Sequence, residues 1–329
     1  MAASRGGRCA LVTTGGTIVS RIDPATGLAM PVLSGQDLLE AVGAEAGDVE
    51  VHDFCRLPSP QLGPEQWVGL QPLVQSLLDR ADIAGVVVSH GTATLEETAW
   101  FLDLTVRSDK PVVVTGAQRN ASARDFDGPR NLLTALKICR APAARGHGVL
   151  VALNEHVNAA REATKSHTVD VETFQSGEWG YLGSVVNERV TFQRSPLRRL
   201  HVPLRAGVLP RVEIVPMYAG ADGALVRAAA GVGAKGLVIE AVASGHVNAA
   251  MGEAIAEVLA QGLPVVVSTR IPRGGTRAGY GFAGSSQRLV EHGAVLAGDL
   301  SPWKARILLM LALQEGPARR EALAALFDA

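Results

Sequence analysis

Cysteine is nearly missing from this 329-residue chain. Cys9, Cys55 and Cys139 are its only three, widely spaced and odd in number. That excludes a disulfide framework and a thiolate metal site. The eight histidines never fall at His-x3-His or His-Glu-x-x-His spacing, so the zinc motifs are absent as well. An excess of one charge is also lacking. With 31 basic and 32 acidic residues the net charge is -1, which gives no bulk field to attract nucleic acid or an anionic membrane. No apolar run approaches the ~20 residues of a membrane span. The basic start "MAASRGGR" is followed only by "CALV", too short for a signal-peptide core. These gaps lead us to expect a soluble, cytoplasmic protein without a nucleic-acid or membrane partner.

What is present is a chain of a length that suits one large or two medium domains, with 47% hydrophobic residues, ample for a packed core. Short valine-rich runs recur: "CALV", "VEVHDF", "GVVVSHG", "PVVVTGA" and "GVLVALN". Longer amphipathic stretches such as "GPEQWVGLQPLVQSLLDRA" and "DGPRNLLTALKICRA" separate them. Buried strands alternating with helices predict an α/β fold: a larger N-terminal domain with a mainly parallel sheet flanked by helices, then a smaller C-terminal α/β domain. The boundary is expected in the basic, proline-punctuated segment "SPLRRLHVPLRAGVLPR". The expected division is residues 1–194, a linker over 195–211, and residues 212–329.

Ligands of such sheets bind at the carboxyl ends of the strands. "TTGGT", "SHGTAT" and "TGAQRN" all follow predicted strands, so three loops bearing hydroxyls and glycines should gather on one rim. "TTGGT" lacks the lysine of a phosphate loop. "GVGAKG" over 231–236 matches a dinucleotide fingerprint but follows a helix and precedes a strand, the reverse of the required context, and reads as a plain connection. Taken singly, the residues of these loops have bland readings. Thr14 suits turn chemistry, Thr94 with Glu97 suits a capping box, His90 a satisfied structural imidazole, and Lys165 a solvated surface lysine. A threonine nucleophile needs a base nearby, and a lysine of lowered pKa is one candidate.

Taken together, five segments in order resemble the bacterial-type L-asparaginase family, the asparaginase/glutaminase amidohydrolases. "TTGGTI" resembles its first signature and "SHGTATLEETAWFL" its second. "GAQR…DGPRNL", "AREATKSHTVDVETFQS…LG" and "LSPWKARILLMLAL" follow in register. The resemblance implies Thr14 as the nucleophile that forms an acyl-enzyme, and Thr92 with Lys165 as the pair that assists proton transfer and water attack. It implies Ser59 as a holder of the substrate α-carboxylate, and backbone N–H groups beside Thr92 and Ala117 as an oxyanion hole. It further implies a small-molecule amide substrate, no metal or organic cofactor, and a homo-oligomer, a dimer or tetramer, with His246 in the place of a contact from a neighbouring subunit.

Two departures stand out. The second signature normally reads His-Gly-Thr-Asp-Thr, with the aspartate on the substrate α-ammonium, but Ala93 stands in its place. The segment "VSRIDPATGLAMPVLSG", a mobile loop in the family, lacks the tyrosine that many relatives use to activate the first threonine. The expected activity is hydrolysis of the side-chain amide of L-asparagine or a related amide to carboxylate and ammonia. The alternatives are an amidase for substrates with an absent or masked α-amine, a catalytically silent binding protein, and an ammonia-supplying subunit of another enzyme.

Overall fold

The computed structural model describes residues 7–328. The chain divides between His201 and Val202 into two compact units. The division falls in a stretch, 195–211, that carries neither helix nor strand.

In chain order the first unit contains β1 (Arg8–Gly15), β2 (Ser20–Ile22), β3 (Ala29–Pro31), α1 (Gly35–Val42), β4 (Val49–Leu57), α2 (Pro64–Asp79), β5 (Ile83–Ser89), α3 (Leu95–Thr105), β6 (Val112–Thr115) and α4 (Gly128–Arg140). There follow β7 (Val149–Leu153), β8 (His156–Ala159), β9 (Thr164–Lys165), β10 (Phe174–Gln175), β11 (Gly183–Val186) and β12 (Arg189–Phe192). Eight strands form one sheet in the order β12-β11-β8-β7-β6-β5-β1-β4. The five from β7 to β4 run parallel, while β8, β11 and β12 are antiparallel. The fold is thus α/β with a mostly parallel large sheet, and the valine runs are its centre. Cys9, Ala10, Leu11, Val12, Val86, Val87 and Val88 are fully buried, as strands covered on both faces must be. One face carries Cys9, Leu11, Val87 and Val113 against Leu132, Leu136 and Ile138 of α4.

Register positions the functional rim. Thr13 of β1 pairs with Ser89 of β5, and Ser89 pairs with Thr115 of β6. These three strands therefore end at one level, and the residues after each emerge side by side. The segment that the resemblance makes a mobile loop is in this structure partly a hairpin, β2 against β3. The Ala121 N–H donates to the Ser20 carbonyl at 2.8 Å, and the Ile22 N–H to Ser122 Oγ at 3.0 Å. Both ties reach the loop after β6. Alternation of polar and apolar residues is too brief here to announce strands of three residues.

The second unit contains β13 (Val212–Pro216), α5 (Ala224–Gly231), β14 (Gly236–Ala241), α6 (Ala249–Ala260), β15 (Val265–Thr269), α7 (Ser286–Glu291), β16 (Val295–Leu296), α8 (Pro302–Ala312) and α9 (Arg320–Asp328). Its four strands are all parallel, in chain order. Leu237, Ile239 and Val267 pack with Met251 and Ile255 of α6. The "GVGAKG" segment joins the end of α5 to the start of β14, the helix-to-strand connection read from its context. No described helix is long and apolar enough to cross a membrane.

Candidate active site

The doubled glycine after β1 is a steric requirement. Gly15 and Gly16 have φ of +112° and +81°, the left-handed region that favours glycine. A Cβ on Gly16 would lie 2.2 Å from the Cα of Gly91, and one on Gly91 would lie 2.6 Å from Ser59 Oγ. A Cβ on Gly116 would lie 2.4 Å from the His90 carbonyl oxygen. The loops after β1, β5 and β6 therefore meet backbone to backbone, the loop after β4 sets its Ser59 side chain against Gly91, and only hydrogen side chains let them do so.

Thr14 is 1% exposed, and its Oγ1 donates to the Ser89 carbonyl at 2.9 Å. Thr13 beside it donates to Asp53 Oδ1 at 2.7 Å, which also accepts the Gly35 N–H, a structural tie between β1, β4 and α1. A threonine nucleophile needs a base nearby, so a bond from the Thr14 hydroxyl to the Thr92–Lys165 pair is the arrangement to look for. Among the described residues it makes no such bond. Buried away from water, the hydroxyl takes the nearest acceptor, the end of the neighbouring strand.

Thr92 and Lys165 are brought together. Lys165 Nζ donates to Thr92 Oγ1 at 2.7 Å and to Gln118 Oε1 at 3.0 Å, while the Thr92 hydroxyl donates to Gln118 Oε1 at 2.8 Å. Lys165 lies on β9, paired in register with Phe174 of β10. Glu96, in the first turn of α3, anchors that short strand: its Oε1 accepts the Lys165 N–H at 3.0 Å and the Thr164 hydroxyl at 3.3 Å. Burial pushes the Lys165 ammonium below the usual lysine range, and the Glu96 carboxylate opposes that shift. The bland reading of Lys165 as a solvated surface group does not hold, because a hairpin turns it onto the rim.

Ser59 is buried, and its Oγ accepts the Ala93 N–H at 3.2 Å. Ala93 itself is exposed. Thr94 occupies the N-cap position of α3 but makes no capping bond. Its hydroxyl donates instead to the Ser59 carbonyl at 2.7 Å, so the expected capping box gives way to a tie between the loops after β4 and β5. Ala117 is fully buried, and neither its N–H nor that of Thr92 donates to an acceptor among the described residues. Free, buried amide donors suit a developing oxyanion, where one is commonly worth about 3 kcal/mol.

His90 is the structural imidazole its context suggested. Its Nδ1 meets the Gly91 carbonyl at 2.8 Å and its Nε2 the Thr98 hydroxyl at 2.9 Å, while Trp67 Nε1 donates to Thr98 Oγ1 at 2.8 Å. A carbonyl only accepts, so Nδ1 carries the hydrogen and Nε2 accepts from Thr98. Complete burial depresses its pKa to about 4.

His246 lies in the second unit. Its Nδ1 accepts the Ser286 N–H at 3.1 Å, its Nε2 faces Ser244 Oγ at 3.2 Å, and the rings of Tyr280 and Phe282 meet it edge-on at 5.0 and 5.2 Å. Among the described residues no group of three or more His, Cys, Asp or Glu side chains is arranged to hold a metal ion. Sequence reasoning missed Gln118, Glu96 and the Ser59–Thr94 tie. The quoted segments "GAQR" and "SHGTATLEETAWFL" contain Gln118, Glu96 and Thr94, but nothing local marks their partners.

Residues 8–198 match the family model "Asparaginase, N-terminal", and residues 211–327 match the "Glutaminase/Asparaginase C-terminal domain". The chain is 36% identical over 308 residues to an L-asparaginase of Bacillus licheniformis, covering 93% of this chain and 95% of that protein. It is 35% identical over 314 residues to L-asparaginase 2 of Escherichia coli strain K12, covering 93% and 88%. Among solved structures, a probable cytoplasmic L-asparaginase from Campylobacter jejuni is 32% identical, with a TM-score of 0.88 over 98% of this chain and 99% of that one. Two domain matches in order and relatives above 30% identity over nearly the whole length show that this chain belongs to the asparaginase family.

Proposed function

We propose that this protein is an amidohydrolase that converts the side-chain amide of L-asparagine, or of a closely related amide, to a carboxylate and ammonia. The observation that carries the reading is the Lys165 Nζ to Thr92 Oγ1 bond of 2.7 Å on the rim that also holds Thr14. Thr14 Oγ1 attacks the amide carbon once substrate turns it away from the Ser89 carbonyl. The C–N bond breaks, the threonine proton leaves with the amine, and ammonia departs from a Thr14 ester. Thr92 and Lys165 then take a proton from water as its oxygen attacks the ester carbon, and return it to Thr14 Oγ1 as the acid is released. The N–H groups of Thr92 and Ala117 face the oxyanion of both steps, and the Ser59 hydroxyl binds the α-carboxylate. No metal or organic cofactor enters these steps.

The relatives are named L-asparaginases, and the catalytically silent alternative is not favoured. Ala93 supplies no carboxylate to the α-ammonium, so free asparagine binds here with one charge-assisted contact fewer than the family signature offers. The active species is a homo-oligomer, a dimer or tetramer, in which a second copy supplies His246; an active monomer in sedimentation would overturn that part. A cytoplasmic setting is proposed from the name of the Campylobacter jejuni neighbour. The decisive experiment measures ammonia release from L-asparagine and an amide panel, with mass-spectrometric trapping of an acyl adduct on Thr14. Thr14→Ala should lose both signals, and full activity in that variant would refute the reading.

A further inference from the structure

Gln118 bonds to both members of the Thr92–Lys165 pair through Oε1 and to a neighbouring loop through Nε2. Its Nε2 donates to the Asp170 carbonyl at 2.9 Å and approaches the Thr168 carbonyl at 3.4 Å. Carbonyls only accept, so the amide nitrogen must face that loop and Oε1 must face the pair. Its backbone is fixed as well, since Asp127 Oδ2 accepts the Gln118 N–H at 3.0 Å and Asn131 Nδ2 at 3.1 Å. Oε1 closes a triangle with Thr92 Oγ1 and Lys165 Nζ whose sides are 2.8, 3.0 and 2.7 Å.

The triangle has a direction. The Thr92 hydrogen lies on Gln118, and Lys165 gives one hydrogen to each oxygen. An ammonium, with three donors and no acceptor, satisfies this arrangement. A neutral amine has a lone pair, and it accepts the Thr92 hydrogen only after that hydrogen leaves Gln118. Two other influences face Lys165. The Glu96 carboxylate of α3 also favours the ammonium, and burial disfavours it.

We propose that Gln118 is a positioning residue that sets the pH at which the Thr92–Lys165 pair can pass a proton, by holding the Thr92 hydrogen and one Lys165 hydrogen on its carbonyl oxygen. The proposal rests on the reading of Thr92 and Lys165 as the proton-transfer pair. A hydrogen bond to a charged partner shifts a titration by roughly one to two pH units.

The test records kcat and KM for L-asparagine against pH in the wild type, Gln118→Met and Gln118→Glu. The Lys165 titration is followed alongside by NMR of isotope-labelled lysine. Gln118→Met should move the acidic limb of kcat and the Lys165 midpoint down by about one unit, and Gln118→Glu should move both up by about one unit. KM should change less than threefold, about the scatter of a neutral substitution. A purely structural role would not move the two variants in opposite directions. Gln118→Glu keeps the side chain's shape, and it serves even where Gln118→Met does not fold. A Lys165 midpoint unchanged in the folded variants would overturn the proposal whatever the activity. Full activity in Thr92→Val would overturn the underlying reading instead, and the NMR titration separates the two failures.

Discussion

At the scale of the residue, the site differs from its family signature most simply at Ala93. Its methyl group is exposed while its N–H is committed to Ser59 Oγ. A substrate ammonium near it lacks the carboxylate the signature provides, and a charge-assisted hydrogen bond is worth about 1.5–3 kcal/mol. Ala93→Asp should therefore lower KM for L-asparagine by about tenfold or more, with little change for an amide lacking the α-amine; steady-state ammonia assays on the two substrates check this. Individual residues were legible to different degrees. Lys165 looked like a surface group because sequence shows neither the β9–β10 hairpin nor the Glu96 carboxylate that turns it inward. Gln118 was passed over because an amide neither titrates nor attacks, so no motif of reactive groups includes it. Thr94 had the right spacing for a cap, yet the Ser59 carbonyl, thirty-five positions away, outcompetes the local backbone for its hydroxyl.

At the scale of the element, strands dominate. Valine runs bounded by glycine or threonine announced β1, β5, β6 and β7, because strands buried on both faces need continuous apolar sequence. The short antiparallel strands β8 to β12 and the hairpin β2–β3 escaped notice, since stretches of two to four residues carry too little periodicity to read. The contact between the turns after β1 and β5 yields a sharp expectation. Gly16→Ala places a methyl group 2.2 Å from the Gly91 Cα at a backbone φ of +81°, combining steric overlap with strain. The change should cost about 2–5 kcal/mol of folding stability, read as a lower urea midpoint, and should depress kcat in the fraction that folds. Gly27, also at positive φ but with no neighbour within 4 Å, should lose much less on the same substitution and serves as the control.

At the scale of the whole molecule, acidity is the condition that tests the packing. The His90 imidazole links the end of β5 to α3 and, through Thr98, to Trp67 of α2. Its pKa of about 4 in the folded state lies below the ordinary 6.5. Between those values the unfolded chain binds the proton and the folded one refuses it, so stability is full above pH 6.5 and falls as pH drops towards 4. A difference of that size corresponds to about 3 kcal/mol. Urea unfolding at pH 7 and at pH 4.5 should show most of this loss in the wild type. In His90→Asn the protein should be weaker at pH 7, with a shallower slope through the same window. Equal slopes in both proteins would mean that some other group governs the acid response.

The close approach of the glycines also tells a protein engineer where variation is futile. A saturation library aimed at new amide substrates gains nothing from degenerate codons at Gly16, Gly91 or Gly116, where almost every clone would be lost to collision. The productive diversity sits at position 93, whose exposed side chain stands on the same frame.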